Sequence, residues 1–303
     1  MLVSVVMITY NHEKYIEKAV DSVLSQKGDF DLELLIGNDK SPDNTKKILE
    51  KYKNNKRVRI FNREQNLGAT KNNINLRLKA KGDYIAVLEG DDYWLDEYKI
   101  QKQLKLLISN ENSILVYSDS YVVDENDKII GKKFVKNNKI INFKSLMANK
   151  NEIPTGTILY KNIFKENNEI EKVIKLLQSS VIIGDFPLFA LLISKGEFLR
   201  LPELTGVYRF ITNSKISTSY SSRNNYFKEL ELYKATKGIV EYYEKFNFYR
   251  WCMLQRRKNS IIKQNKKEKN KEENLNIKTN VVYKLYKPID DLILSFYKRI
   301  YKR

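Results

Sequence analysis

The chain has 303 residues, 42% of them hydrophobic and 12% aromatic, which excludes a disordered protein and suits one large α/β domain of roughly 200–250 residues with an appendage. The formal charge of +18 sits mostly in the tail: positions 250–303 hold 16 basic and 5 acidic side chains, a net of +11, leaving +7 on the other 249 residues. A single cysteine, Cys252, excludes an internal disulfide, a zinc cluster and a redox pair, and fits a reducing, cytoplasmic compartment.

In chain order, Val3–Ile8, Leu32–Ile36, Val58–Phe61 and Tyr84–Leu88 read as β-strands from their β-branched, apolar runs. The first run has no basic residues before it and is too short for a secretory core, so it reads as a buried strand. Between these strands, Ile16, Ala19, Val20, Val23 and Leu24 fall at helical spacing, and Ser41-Pro42-Asp43 carries the signature of a helix start. Alternating strands and helices imply a mostly parallel, doubly wound sheet with its site at the carboxyl ends of the strands. A helix with Ile100, Leu104 and Leu107 on one face leads to the strand Ile114–Tyr117.

From Val122 to Val135, around an Asp124–Asp127 turn, the pattern is that of an antiparallel excursion. A less regular half then offers strands at Thr157–Tyr160 and Val207–Ile211 and helices at Ile170–Gln178 and Phe186–Ser194. The apolar stretch Val181–Ser194 is broken by Asp185 and Pro187 and falls short of the ~18–20 residues of a spanning helix. From Asn224 the chain reads as helical and basic, ending in an amphipathic stripe of Ile289, Leu292, Ile293, Phe296 and Ile300 beside Lys298, Arg299, Lys302 and Arg303. Such a helix fits either a membrane interface or a docked position on its own domain.

Four consecutive strand ends carry polar clusters: Thr9-Tyr10-Asn11, Asn38-Asp39-Lys40-Ser41, Asn66-Leu67-Gly68 and Glu89-Gly90-Asp91-Asp92. Any one of these suits a turn or a helix cap. Four on one edge point to a ligand, with the paired carboxylates placed to bind a hard cation that bridges diphosphate oxygens. Farther on, Asp185 opens a helical run, where a carboxylate serves equally as a cap or as a general base. Arg209 reads either as a diphosphate clamp, for which a guanidinium is well shaped, or as a surface arginine beside a loop, and His12, the only histidine, reads as a loop residue.

The segments Val5–Ile16, Asn38–Thr45, Asn66–Gly68, Gly82–Ile85 and Glu89–Trp94 resemble the successive motifs of family 2 inverting glycosyltransferases with the GT-A fold, closely over about residues 3–110 and more loosely to about 220. The resemblance implies a Rossmann-like, mostly parallel sheet with a nucleotide-sugar half at 1–115, an acceptor half at 116–222 and a helical, basic extension at 223–303. It implies that Thr9, Tyr10 and Asp39 hold a uridine, that Asn66 and Asn72 lie near the nucleotide, with Asn11 and Gly68 also among the donor-binding residues, and that Asp91 and Asp92 form the metal-binding element. Asp91 is then assigned to the donor and Asp92 to a Mn²⁺ or Mg²⁺ ion. The family commonly has Asp-Asp-Gly-Ser where this chain has Asn38-Asp39-Lys40-Ser41. The segment from Ile183 to Leu188 resembles the family's base-bearing segment and places Asp185 at the base.

The expected activity is inverting transfer of a sugar from a UDP-sugar to an acceptor hydroxyl of a cell-envelope glycan or glycolipid, with peripheral membrane contact through the tail. A nucleotidyltransferase would begin with a glycine-rich phosphate loop, and Met7–Glu13 contains no glycine. A nucleic-acid-binding protein is suggested by charge alone, carries no recognition motif here, and has no need of an acid pair at a strand end.

Overall fold

The computed structural model describes residues 1–133, 141–147, 153–165, 167–180, 184–211 and 225–243, with isolated positions at 254, 257, 260 and 261. Strands β1 (Leu2–Thr9), β2 (Asp31–Asn38), β3 (Val58–Asn62) and β4 (Tyr84–Glu89) alternate with helices α1 (Ile16–Leu24), α2 (Thr45–Leu49) and α3 (Ala69–Arg77). These four strands lie side by side in the order β3-β2-β1-β4, all parallel. β1, β2 and β4 carry apolar runs (Val5–Ile8, Leu34–Ile36 and Ile85–Leu88) because both faces are covered, while β3 at the edge of the sheet is only partly buried. Val5 and Met7 face one core with α1, α2 and helix α4 (Lys99–Ile108), while Val6 faces another with α3. The result is a helix–sheet–helix sandwich.

Beyond β4 the sheet becomes mixed. The two-residue β5 (Tyr93–Trp94) pairs antiparallel with β9 (Glu197–Arg209), and β8 (Leu159–Lys161) runs antiparallel between β4 and β6 (Ser113–Val123). β6 and β9 pair in parallel over most of their length, and β7 (Ile129–Lys133) folds back on β6 as the expected antiparallel excursion. Among the described residues the nine strands form one sheet.

Three boundaries differ from the sequence reading. The helix expected at Ser41 begins at Thr45, because Ser41 ties two strand-end loops together: its Oγ donates to Asn38 Oδ1 (2.6 Å) and accepts from the Asn11 N–H (3.1 Å). Thr155–Thr157, part of which reads as strand, forms a 3₁₀ turn before β8. The helix after residue 224, α8 (Asn225–Tyr242), does not start a separate extension. Its Leu232, Ala235 and Ile239 enter the core that holds α6 (Ile170–Leu177) and α7 (Asp185–Ile193), and Ser180 Oγ donates to the buried Glu231 carboxylate at 2.8 Å. The charged stretch at 263–278 and the amphipathic stripe at 288–303 lie outside the described residues.

Candidate active site

Strand register builds the edge. Asn62 pairs with Asn38 and Asn38 with Thr9, while Ile8 pairs with Glu89, so the ends of β3, β2, β1 and β4 finish in one row. Two residues past Thr9 and Asn38 the chain turns through left-handed positions, Asn11 at φ 61° and Lys40 at φ 60°. The second is where the family commonly has glycine, which takes that conformation without a Cβ clash. Tyr10 lies partly exposed on this edge, available for stacking.

Asp39 is 3% exposed, and its two carboxylate oxygens accept the backbone N–H groups of Leu67 and Gly68, each at 2.8 Å. Asn66 Oδ1 also accepts from Gly68, which stands at φ 81°. The loop at Asp39 and the loop at Asn66–Gly68, separate in sequence, are thus tied together. The carboxylate keeps lone pairs for a further donor. Asn72 is 1% exposed: its amide donates to the Gly37 carbonyl (2.8 Å) and its oxygen accepts from Arg63 Nε (3.0 Å). It therefore orients Arg63, whose Nη2 is buried without a partner. Desolvation lowers the affinity of that guanidinium for its proton, and Asp39 opposes the effect. Sequence reasoning missed Arg63, because an arginine after an exposed strand end looks like any surface cation.

The acid pair divides its work. Asp92 is 4% exposed, and its Oδ1 accepts the Arg209 backbone N–H at 2.7 Å. Burial, then the Asp91 and Glu89 carboxylates, push its carboxyl well above the usual range, against the pull of that N–H. Asp91 is less enclosed, yet its Oδ1 is buried with no hydrogen-bond partner. Thr9 Oγ1 and His12 Nδ1 are buried and unpartnered in the same way. Among the described residues no three His, Cys, Asp or Glu side chains converge as a complete metal cage. An ion that also binds donor phosphates needs only one or two protein carboxylates, and the orphaned Asp91 oxygen fits that requirement.

Asp185 is the first residue of α7, after Gly184 at the N-cap. Thr155 Oγ1 donates to its Oδ2 at 3.0 Å. The next residue, Gly156, has no side chain to hold off Asp92: a β-carbon there would stand 3.3 Å from Asp92 Oδ2. Trp94 Nε1 fixes the same turn by donating to the Gly156 carbonyl at 2.7 Å. One short turn therefore separates the expected base from the strand-end acids. Tyr208 marks the same convergence, since burial and then the Glu89, Asp92, Asp91 and Asp185 carboxylates all raise its phenol above the ordinary value. Thr155 and Gly156 were also missed; Pro154-Thr155-Gly156 is a turn signature, but nothing local says which strand ends it will bridge.

Arg209 departs from its expected role. Its side chain is 1% exposed, and its donors go to protein: Nε to the Asp91 carbonyl (2.9 Å), Nη1 to the Asp124 carbonyl (2.9 Å) and Nη2 to Asp127 Oδ1 (2.6 Å). The guanidinium also lies 4.2 Å from the centre of the Tyr15 ring. Arg209 clasps the β6–β7 turn to the acid pair, instead of closing over a diphosphate as a free clamp.

An uncharacterized Mycobacterium tuberculosis protein is 28% identical over 74% of this chain, which spans 63% of that relative's length. The putative teichuronic acid biosynthesis glycosyltransferase TuaG of Bacillus subtilis is 27% identical, the match covering 86% of this chain and 97% of TuaG. The crystal structure of S. aureus TarS in complex with UDP-GlcNAc shares the fold with a TM-score of 0.60 at 17% identity, covering 87% of this chain and 73% of that one. The sequence model of glycosyl transferase family 2 matches residues 4–167, more than half the chain and all four strand-end clusters, and the protein belongs to that family.

Proposed function

We propose that this chain transfers a sugar from a UDP-sugar to a hydroxyl of a cell-envelope glycan or glycolipid, with inversion at the anomeric carbon. The observation that carries the reading is the Thr155–Thr157 turn, which sets Asp185 across from Asp91 and Asp92. Inversion needs a carboxylate on the acceptor side to take the hydroxyl proton, facing away from the leaving diphosphate. Asp39, with Tyr10 and Arg63 beside it, serves the nucleobase. Asp91 is the better ligand for a Mn²⁺ or Mg²⁺ ion, which when bound neutralises charge on the departing diphosphate. Asp92, buried, near two other carboxylates and committed to the Arg209 amide, shapes the loop. This exchanges the roles expected from the sequence. TarS crystallised with UDP-GlcNAc and TuaG's name in teichuronic acid biosynthesis support the donor and acceptor classes.

The chemical step is tested with Asp185→Asn, which preserves shape. Turnover of a UDP-sugar should fall by at least about 10², while calorimetric binding of UDP with Mn²⁺ stays near wild type. NMR of the wild-type product should show the anomeric configuration opposite to the donor's. Near-normal turnover of the variant, or retained configuration, defeats the mechanism. In the same titrations Asp91→Asn should abolish the gain in UDP affinity that Mn²⁺ provides, and a gain lost only in Asp92→Asn restores the original assignment.

Among the described residues no helix is long and apolar enough to cross a membrane. The net +11 beyond residue 249 supports peripheral contact with an anionic surface. Removing residues 281–303 should lower binding to phosphatidylserine vesicles, most in low salt; equal binding of both chains rules that contact out.

A further inference from the structure

His12 has no part in the site as assembled so far, yet its position is tightly determined. Its backbone N–H donates to Thr45 Oγ1 at 3.0 Å, and its carbonyl accepts from the N–H groups of Tyr15 and Ile16, each at 2.9 Å, where α1 begins. The left-handed Asn11 immediately before it turns the chain into the site. The imidazole is held inward, 18% exposed, with Nε2 3.7 Å from Asp91 Oδ2.

Around it lie the three orphaned atoms Thr9 Oγ1, His12 Nδ1 and Asp91 Oδ1. Two of them converge over Gly90, where a β-carbon would stand 2.7 Å from Thr9 Oγ1 and 3.0 Å from His12 Nδ1. Glycine at this position therefore keeps open a small polar cradle. A buried polar group left unpaired is costly, and three at the adjoining ends of β1 and β4 mark a place that a polar ligand completes.

We propose that His12 is a positioning residue of the donor site, whose Nε2 edge steadies the Asp91 carboxylate and whose Nδ1, with Thr9 Oγ1, receives a hydroxyl of the nucleotide sugar over Gly90. The inference rests on the UDP-sugar reading above. A sugar hydroxyl both donates and accepts, so it satisfies the threonine and the imidazole whichever ring nitrogen carries the proton. That hydroxyl belongs either to the ribose or to the transferred sugar.

The test measures binding of UDP and of UDP-GlcNAc, each with Mn²⁺, to the full chain and to His12→Ala, His12→Asn and His12→Gln, alongside thermal melts. The wild type is titrated first: failure to bind either ligand overturns the donor reading itself. Given wild-type binding, His12→Ala should weaken it about tenfold, the scale of one lost hydrogen bond in a buried site, with a melting temperature close to wild type. Asn reproduces a donor or acceptor near Nδ1 and Gln one near Nε2, so each should recover part of the loss. Weakening of both ligands assigns the hydroxyl to the ribose, and weakening of UDP-GlcNAc alone assigns it to the transferred sugar. Affinities within twofold of wild type in all three variants, or losses that only follow the melting temperature, overturn the inference.

Discussion

The two halves of the sheet reach the same edge by different means. From β1 to β3 each strand is joined to its neighbour by a short helical crossover, α3 then carries the chain back across the sheet to β4 beside β1, and the site residues sit where the strands end. Past β4, the partners are distant in sequence: Val123 on β6 pairs with Arg209 on β9, and Ala86 on β4 with Leu159 on β8. The first half of the edge is thus positioned by local backbone geometry, and the second half by side chains that cross between remote segments. Damage to one long-range clasp should therefore cost more than damage to one strand-end turn.

The largest expected effect comes from Arg209. Its replacement by Ala removes three hydrogen bonds and the contact with Tyr15, and strands the Asp91 and Asp124 carbonyls. Urea unfolding should show a loss of about 3 kcal/mol, and Arg209→Lys, which lacks the planar fork, should recover only a minor part. An Ala variant as stable as wild type would mean that the second half does not depend on this clasp.

Lys99 offers a test that depends on pH. Fully buried in α4, it donates to Gln103 Oε1 at 2.8 Å under the Trp94 ring, and Gln103 Nε2 in turn holds the Thr157 carbonyl at 2.7 Å. Burial pulls the Lys99 ammonium down from 10.5 to about 7, with Asp96 opposing. Between those values the unfolded chain keeps a proton that the folded chain has released, so stability rises with pH across that window and is indifferent to this group below it. Melts from pH 6 to 10 should show wild type gaining on Lys99→Met by at most about 1.4 kcal/mol per pH unit above pH 7. Parallel curves would mean that Lys99 stays charged under Trp94.

The smallest effect belongs to the first half. At Lys40, φ 60° favours glycine, but glycine also loosens the unfolded chain. Lys40→Gly should change stability by less than about 1 kcal/mol, in the stabilising direction. A larger loss would show that the lysine side chain, and not the turn, holds the Asn38–Ser41 loop.

What could be read in advance follows the same division. The strands Val3–Ile8 and Tyr84–Leu88 are visible because both faces are buried, which leaves unbroken apolar runs. The helix with Ile16, Ala19, Val20 and Val23 is visible because a single buried face leaves a 3.6-residue period. Their alternation in turn implied parallel pairing and a polar edge. The chain alone thus determined the first half of the sheet and the residue types gathered at its edge, since those depend on interactions within a few turns of sequence. Only the tertiary structure decided which atoms remain available. It spent the Arg209 guanidinium on the β6–β7 turn, gave Asp92 to a backbone amide, used Asn72 to aim Arg63, and left Thr9, His12 and Asp91 with unmet polar atoms around Gly90. Each of those outcomes rests on partners between 9 and 118 positions apart, and hydrogen-bond satisfaction across such separations is set by packing of the whole sheet, which no local pattern encodes.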